Sequence, residues 1–401
     1  MIHIQAAALI NPLGATPAAI LDALATDAPP PGMTTSTRWL ANGAACRVGE
    51  APGPLPEIPP ELAAHDTRNN RLLLAALAQI RPALDALLAR HSPGRIAVIL
   101  GSSTSGILEG ELAVRHHHEH GTLPPAYRYA QQEPGDPARF LAARLGLTGP
   151  AYTISTACSS SARALLSARR LLRAGIVDAV IAGGADSLCQ LTLNGFNSLQ
   201  ALSLSPGGTK PFAAGRDGIT IGEAAALLLL AREPGDRSGT LLLGAGESSD
   251  AWHMSAPRPD GAGAEAAMLD ALRDAGIDPA RAHETIGYIN LHGTGTPLND
   301  SMETAAVYRL FGDRIPCGST KHLTGHTLGA CGATEAALCH HLILSPRATL
   351  PRQQLAPAER DATLPPVDLV TRPGRPLSPR AILSNSFAFG GNNAALILGP
   401  A

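Results

Sequence analysis

The stretch AYTISTACSSSARALLSARRLLRAGIVDAVIAGGADS, Ala151–Ser187, contains the pattern on which the fold assignment depends. An apolar strand at 151–157 runs into a turn of small residues, a helix follows until Gly175, and a second apolar strand begins at Asp178. Further strands are predicted at 95–103, 219–231 and 240–250. Apolar strands interleaved with helices indicate an α/β protein whose sheet is covered on both faces.

The second part of the chain repeats this order of elements. Helices are predicted at 264–276, 300–312 and 332–344, and strands at 286–297, 315–320 and in a hairpin over 382–398. The order strand, turn, helix, strand occurs around Cys158 and again around His326, which favours an internal duplication. The proline- and glycine-rich region 27–60 predicts irregular surface structure.

Composition excludes several classes of function. The 401 residues are 45% hydrophobic with a net charge of -2, as in a globular protein, and give no electrostatic basis for binding nucleic acid or an anionic membrane. No apolar run approaches the ~20 residues of a membrane helix, and the N-terminus does not resemble a secretory signal, so we predict a cytoplasmic protein. Six cysteines without CxxC pairing argue against a disulfide framework and a zinc site.

Cys158 falls where the first strand turns into the helix. The partial positive charge and free N–H groups of a helix N-terminus favour a thiolate, and the serines at 159–161 are suited to capping the helix. Cys158 is therefore a candidate nucleophile. An inert buried cysteine explains this residue alone equally well, and we interpret Cys189 and Cys339 in that way.

HGTGTP, 292–297, places His292 at the carboxyl end of a predicted strand, where α/β folds form ligand crevices. Thr294 and Thr296 offer hydroxyl groups on one side of an extended segment. A hydrogen-bonded core histidine is an equally good interpretation of His292 alone.

GSTKHLTGHTLGACGATE, 318–335, contains Lys321, one of two lysines among 31 basic residues. His326 lies among glycines that allow the backbone to approach a ligand, and Glu335 begins a helix. A buried lysine paired with a carboxylate can orient a histidine, and the planar fork of arginine would not fit the same space. NSFAFGG, 385–391, offers backbone N–H groups for an oxyanion hole, although a tight glycine hairpin explains it too.

Together TACSSS, HGTGTP, STKHLTGHTLGACGATE and NSFAFGG resemble, in order and spacing, the β-ketoacyl-acyl carrier protein synthases of KAS I and KAS II type in the thiolase superfamily. The likeness runs from about Arg95 to the end of the chain. It implies a thiolase-like α/β fold in which two similar halves form a five-layer α-β-α-β-α sandwich. Residues 1–240 would carry the nucleophilic cysteine, and residues 241–401 the two histidines and the lysine.

The resemblance also implies a Cys-His-His site that condenses malonyl-acyl carrier protein with an acyl chain bound to Cys158, and that needs no cofactor because phosphopantetheine carries the substrates. His292 and His326 would stabilise the enolate left by decarboxylation. The other implied roles are an oxyanion hole from the N–H groups of Cys158 and Phe389, positioning of the histidines by Lys321 with Glu335, and pantetheine binding by Thr294 and Thr296.

TSGI, LNGFNSL and SSDAWHMSAPRPDG resemble the ketosynthases of aryl polyene clusters, and imply that Thr104 and Phe196 shape the acyl pocket. The expected partners are an acyl carrier protein and a second subunit, in a homodimer or a heterodimer with a ketosynthase-like chain. The alternative is a non-catalytic chain-length or scaffold subunit that binds carrier protein and partners a ketosynthase. Such subunits lack the nucleophile.

Three further interpretations concern side chains outside the motifs. We predict no metal at RHHHEH, 115–120, because consecutive histidines point in different directions. We interpret Cys331 as a packing residue, and Arg68 and Arg71 as contacts for an acidic carrier protein. Four residues resemble positions where some relatives hold a monovalent cation: Asn290, Glu335, Ser384 and Asn385.

Overall fold

Ten strands form the framework of the computed structural model, which describes residues 1–235, 239–346 and 349–401. The strands of the described chain are β1 His3–Ile10, β2 Met33–Ser36, β3 Cys46–Gly49, β4 Ile96–Gly101, β5 Ala151–Ile154, β6 Ala179–Asp186, β7 Ile221–Gly222, β8 Ala224–Ala231, β9 Thr240–Ser249, β10 Ile286–Asn290, β11 Cys317–Gly318, β12 Ala381–Phe387 and β13 Asn392–Pro400. The α-helices are α1 Pro17–Leu24, α2 Arg68–Gln79, α3 Arg81–Arg90, α4 Ile107–His120, α5 Asp136–Leu145, α6 Ser160–Arg173, α7 Gln190–Ser198, α8 Ala262–Ala275, α9 Pro297–Phe311, α10 Lys321–Thr324 and α11 Cys331–Leu344.

The framework has the same topology twice. In space the order is β5-β4-β6-β8-β1 in one part and β11-β10-β12-β13-β9 in the other. The edge strands β5 and β11 are each the third of their part in chain order, and the strands at the junction, β1 and β9, are each the first. In each spatial order the first three strands are parallel to one another, and the fourth is antiparallel to the neighbours on both of its sides. The fifth strand therefore runs in the same direction as the first three. Two residue pairs join β1 to β9. This identity of order and direction supports the predicted duplication, while the division at residue 240 stays a prediction.

Three apolar clusters define the layers. Each five-stranded part of the framework is called a sheet below, the part with β1 being the first and the part with β9 the second. In the central cluster α6 and α11 pack between these two sheets, with Leu228 of β8 on one side and Leu396 of β13 on the other. A second cluster covers the outer face of the first sheet with α2, α3 and α5, and a third covers the second sheet with α8 and α9. The result is the predicted five-layer α-β-α-β-α sandwich of a thiolase-like fold.

β8 illustrates why the sequence forms such layers. Successive side chains of a strand point to opposite faces, and in AAALLLLA the leucines at 228 and 230 enter the central core while those at 227 and 229 enter the outer one. Both faces are buried, so the strand is continuously apolar rather than alternating. The predicted strand over 219–231 is divided, because β7 pairs with β3 and β8 joins the main sheet.

Two local predictions were wrong. The region 27–60 is not wholly irregular, since β2 and β3 pair within it and form a small sheet with β7. The serines before α6 do not cap it in the expected way, because the side chain of Ser159 makes no capping bond. The hydroxyl of Ser160 instead accepts from the Thr156 N–H at 2.8 Å and closes the turn in which Ala157 has a φ of 52°.

Each of the described helices is shorter than the ~20 residues that cross a bilayer. None of them alone is long and apolar enough to cross a membrane; α2 and α3 would reach that length only together, and they are bent by 82° at their junction.

Candidate active site

Cys158, His292 and His326 meet although distant parts of the chain supply them. Cys158 follows β5 at the start of α6, His292 follows β10, and His326 follows α10. The His326 Nε2 atom lies 3.0 Å from the Cys158 sulfur. The two imidazole rings are 5.2 Å apart between centroids and nearly perpendicular, at 85°. The three predicted groups therefore form one cluster.

Burial keeps these three groups neutral at neutral pH. Burial raises the pKa of the Cys158 thiol to about 11, although the Lys321 ammonium and the N–H groups of Phe389 and Cys158 oppose the rise. Burial, and then the charge of Lys321, hold the pKa of both histidines well below the usual range. The start of α6 thus does not produce the resting thiolate that the sequence suggested, because desolvation outweighs the local positive potential.

One backbone contact fixes the tautomer of His326. The Leu328 N–H donates to its Nδ1 atom at 3.2 Å, so in the neutral ring the proton resides on Nε2. That N–H points at the Cys158 sulfur, 3.0 Å away. The ring is therefore a hydrogen-bond donor toward any oxygen that approaches the sulfur.

His292 is held by its backbone and leaves its ring nitrogens available. Glu303 accepts the N–H groups of His292 and Gly293, each at 2.7 Å, while neither ring nitrogen of the buried His292 has a hydrogen-bond partner among the described residues. Asp300, one turn earlier on α9, accepts from the N–H of Gly295 at 3.1 Å. Burial raises the pKa of Glu303 to about 7 and of Asp300 to about 6.

Sequence reasoning missed both carboxylates. Their signal was their position in the first turns after HGTGTP, at a spacing of three residues, where a helix N-terminus favours carboxylates.

Lys321 is fully buried and its ammonium lies 2.5 Å from a Glu335 oxygen. Burial alone would lower the pKa of Lys321, but the neighbouring Cys331 and Glu335 groups raise it, so the lysine stays charged. Cys331 is one helical turn before Glu335 on α11, and the Cys331 group raises the pKa of Lys321 and opposes the rise in the pKa of Glu335. Cys331 also lies within 4.8 Å of a His292 nitrogen. Its interpretation as a packing residue is therefore incomplete.

A narrow pocket borders the cluster and is lined by Cys158, His292 and His326 themselves. Thr294, Thr296 and Phe196 line it, and the Phe196 ring packs against Phe389 with 5.5 Å between centroids. The hydroxyl groups of Thr294 and Thr296 are 3.0 Å apart, and both residues line the pocket.

Thr104 does not line this pocket, and its role in shaping the acyl pocket stays a prediction. Its hydroxyl donates to Asp186 at 2.7 Å and is buried there. The loop of Thr104 is fixed by that carboxylate, which is why the side chain does not reach the pocket within a single chain.

Among the residues suggested for a monovalent cation, Asn290 and Ser384 contact each other and Glu335 pairs with Lys321, while the Asn385 amide donates to Glu303. The Asn290 amide donates to the Ser384 hydroxyl at 3.2 Å, and Asn290 opposes the rise in the pKa of Glu335 that burial causes. One oxygen of Glu335 and the amide oxygen of Asn385 are buried without a hydrogen-bond partner among the described atoms. Oxygen atoms of this kind fit a hard cation.

The remaining charged candidates have partners inside the chain. Arg68 forms an ion pair with the buried Glu223 and Arg71 one with Asp66 at 2.7 Å, so neither is a free charge for a carrier protein, contrary to the interpretation from sequence. In RHHHEH the His116 and His120 rings contact each other on exposed helix α4, and His116 hydrogen-bonds the Thr122 carbonyl at 2.8 Å.

Family models and related sequences both match this chain to β-ketoacyl synthases. The family model described as "Beta-ketoacyl synthase, N-terminal domain" matches residues 42–234, and the one described as "Beta-ketoacyl synthase, C-terminal domain" matches residues 240–352. The chain is 40% identical over 270 residues to the 3-oxoacyl-[acyl-carrier-protein] synthase 2 of Rhizobium meliloti, an alignment that covers 63% of this chain and 61% of that protein. It is 31% identical over 323 residues to the enzyme of the same name from Staphylococcus aureus, covering 77% of each.

Among solved structures, a chain of the complex of the ketosynthase ApeO with its chain length factor ApeC from Xenorhabdus doucetiae superimposes with a TM-score of 0.94. The sequence identity is 52%, and the match covers 100% of this chain and 98% of that one.

Proposed function

Because this chain belongs to the β-ketoacyl synthase family, we propose that it is a β-ketoacyl-acyl carrier protein synthase. It would condense malonyl-acyl carrier protein with an acyl chain held on Cys158 and extend that chain by two carbons. The observation that carries this proposal is the contact of 3.0 Å between the Cys158 sulfur and His326 Nε2, with the free ring of His292 beside it.

In the first half-reaction, Cys158 attacks the thioester carbonyl of the incoming acyl chain. The new C–S bond forms as the bond to the pantetheine sulfur breaks, and the thiol proton passes to the departing pantetheine thiolate. The N–H groups of Cys158 and Phe389, which lower the pKa of the cysteine thiol, would hold the oxyanion of the tetrahedral intermediate. Thr294 and Thr296 are suited to hydrogen-bonding the pantetheine arm at the pocket mouth.

In the second half-reaction, the malonyl thioester loses carbon dioxide and its electrons pass into an enolate. His326 donates its Nε2–H to the enolate oxygen, and His292 donates from a ring nitrogen that has no hydrogen-bond partner among the residues the structure describes. Neutral imidazoles are suited to this task, because they donate without protonating the carbanion. The carbanion attacks the Cys158 thioester, the C–S bond breaks, and the thiolate takes up one proton. Lys321, paired with Glu335, keeps the histidines neutral and in place.

For the pathway, we propose fatty acid or polyketide synthesis of the aryl polyene type. The support is the resemblance of TSGI, LNGFNSL and SSDAWHMSAPRPDG to ketosynthases of that kind, together with the 52% identity to a chain of the ketosynthase complex from Xenorhabdus doucetiae. The alternative, a non-catalytic chain-length or scaffold subunit, is less well supported because Cys158 is present and in contact with His326.

A groove between α4 and α7 is the surface we propose for a ketosynthase-like partner chain. Val114, Leu191 and Tyr129 line it and are exposed over more than half of each residue's surface, at 67%, 61% and 68%. An apolar surface of this kind is typical of an interface between subunits. Solved relatives include complexes of a ketosynthase with a chain length factor.

Intact-mass spectrometry of the isolated chain with acyl- and malonyl-carrier proteins tests the function. We expect one acyl group to be added to the wild-type chain and none to Cys158→Ala. Cys158→Gln should release carbon dioxide from malonyl-carrier protein without condensing it, and His292→Ala should remove that release. A Cys158→Ala chain that still condenses would exclude the mechanism, and a wild-type chain that is never acylated would favour the non-catalytic subunit.

A further inference from the structure

Asp186 ends β6 and joins two loops through hydrogen bonds to one fully buried carboxylate. Its Oδ1 atom accepts from the Ser102 hydroxyl, the Ser103 N–H and both the N–H and hydroxyl of Thr104, at 2.7–2.9 Å. Its Oδ2 atom accepts from the Ala330 N–H at 2.9 Å. One oxygen therefore holds the loop after β4, and the other holds the loop that follows His326.

Both loops contain a residue in a conformation that needs external support. Ser105 has a φ of 44° and Leu328 a φ of 50°, and non-glycine residues keep such values only where surrounding contacts impose them. The loops also touch, since a Cβ atom on Gly329 would lie 2.8 Å from the Asp186 Oδ2 atom and 2.7 Å from the Ser103 nitrogen. The carboxylate between them is the group that contacts both.

The contact with Ala330 continues to the catalytic cluster. Ala330 ends the short turn that begins at Thr327, and its N–H also donates to the Thr327 carbonyl at 3.0 Å. Within this turn Leu328 presents its N–H to His326 Nδ1 at 3.2 Å. That bond leaves the His326 proton on Nε2, facing the Cys158 sulfur.

We propose that Asp186 is a positioning residue that fixes the Nε2–H tautomer of His326, by holding the Leu328 turn through the Ala330 N–H. The effect on turnover rests on the proposed function, but the tautomer can be measured without any substrate. Among the described residues Asp186 makes no hydrogen bond to Cys158, His292 or His326, so its geometric link to His326 runs through the turn. Its charge also contributes to raising the pKa of the Cys158 thiol.

Asp186→Asn tests this selectively. With its amide oxygen toward the 102–104 loop, asparagine keeps those four bonds and presents an NH₂ group, which cannot accept, to the Ala330 N–H. We expect the ¹H–¹⁵N imidazole spectrum, with His326 assigned by His326→Ala, to change from one tautomer to a mixture of two. In the Cys158→Gln background, kcat for malonyl decarboxylation should fall about tenfold or more with little change in KM.

Asp136→Asn is the matched control, because Asp136 is a buried carboxylate of the outer layer that accepts from the Asn70 amide at 2.8 Å. It should leave the His326 spectrum and kcat unchanged. An Asp186→Asn chain that retains a single Nε2–H tautomer would overturn the proposal.

A measurement on the wild-type chain covers the case in which Asp186→Asn does not fold. The amide hydrogens of Leu328 and Ala330 should exchange as slowly as those of the central strands, since both are bonded to buried acceptors; rapid exchange at either position overturns the proposal. A wild-type chain that does not decarboxylate malonyl thioesters, but whose His326 tautomer depends on Asp186, would exclude the proposed function and leave this inference intact.

Discussion

Lys321 and Glu335 form a charge pair inside the central layer, with neither side chain open to solvent. Lys321→Ala leaves the Glu335 carboxylate buried and unpaired, so we expect a loss of about 3–5 kcal/mol in the free energy of unfolding, measured with urea. The double variant Lys321→Ala with Glu335→Gln should recover part of this loss, because it removes the uncompensated charge. Additive losses in the double variant would show that the pair is not coupled.

Glu303 makes stability depend on pH. Its pKa is raised from 4.5 to about 7 by burial, so the folded state binds a proton more tightly than the unfolded state. The stabilisation is fully present below pH 4.5 and is lost as the pH rises through 7. Between pH 5 and pH 7.5 we expect Glu303→Gln to reduce the fall in unfolding free energy by roughly 1–3 kcal/mol. Equal slopes in the wild-type and Glu303→Gln chains would contradict the assignment.

The sequence motifs predicted which residues meet, but not what holds them. Cys158, His292 and His326 stand in short patterns of glycine and small residues, and the structure brings them into one cluster. Asp186 and Glu303 were missed because a single carboxylate at the end of a strand or on a helix looks like a solvated group until its tertiary partners are known. The resting protonation state of Cys158 was also beyond the sequence, since burial decides it.

At the scale of elements, the contact between α6 and α11 depends on Gly332. A Cβ atom there would lie 2.6 Å from the Ala162 Cβ and from its nitrogen, both on α6. Gly332→Ala must therefore separate the two helices, and we expect it to cost about 1–3 kcal/mol in thermal or urea unfolding. It should also slow acylation of Cys158, because α6 carries that residue at its start.

Gly195→Ala is the control for this substitution. Gly195 lies within α7, and a Cβ atom added there meets nothing within 4 Å. Alanine favours a helix by up to about 1 kcal/mol over glycine, so stability should rise or stay the same. A loss for Gly195→Ala as large as that for Gly332→Ala would argue against close helix packing as the cause.

Helices and strands were predictable where the apolar pattern was long. The strands around Cys158 and the helix ending before Gly175 follow from alternation and from a glycine stop. The strands β2 and β3 were not, because they pair within a region rich in proline and glycine, a composition typical of irregular structure. Their existence depends on β7, which comes from a remote part of the chain.

At the scale of the whole molecule, the α4–α7 groove should control association. Val114→Glu combined with Leu191→Glu places charge on the apolar wall of the groove, and we expect a shift toward single chains, or loss of a co-expressed partner, in sedimentation velocity. Ile176→Glu is the control, because Ile176 is 52% exposed but does not line the groove. Unchanged sedimentation of the double variant would exclude this surface as the interface.

The repeated order of elements predicted an internal duplication, and the motif resemblance predicted the five-layer sandwich. What sequence could not supply is the relation between the two sheets, which is set by α6 and α11 packing into one shared core. That arrangement depends on contacts between residues far apart in the chain, such as Ala162 with Gly332.

The duplicated topology has a consequence for how the protein fails. The sulfur belongs to one copy of the five-stranded motif and both imidazoles to the other, so neither copy contains a working set of groups. The reaction therefore needs the two copies in contact. A shift of about 1 Å of one copy relative to the other would separate the sulfur from the imidazoles while each copy kept its own fold. Loss of turnover during gentle heating should therefore come before any loss of helical signal, and cooling should restore it.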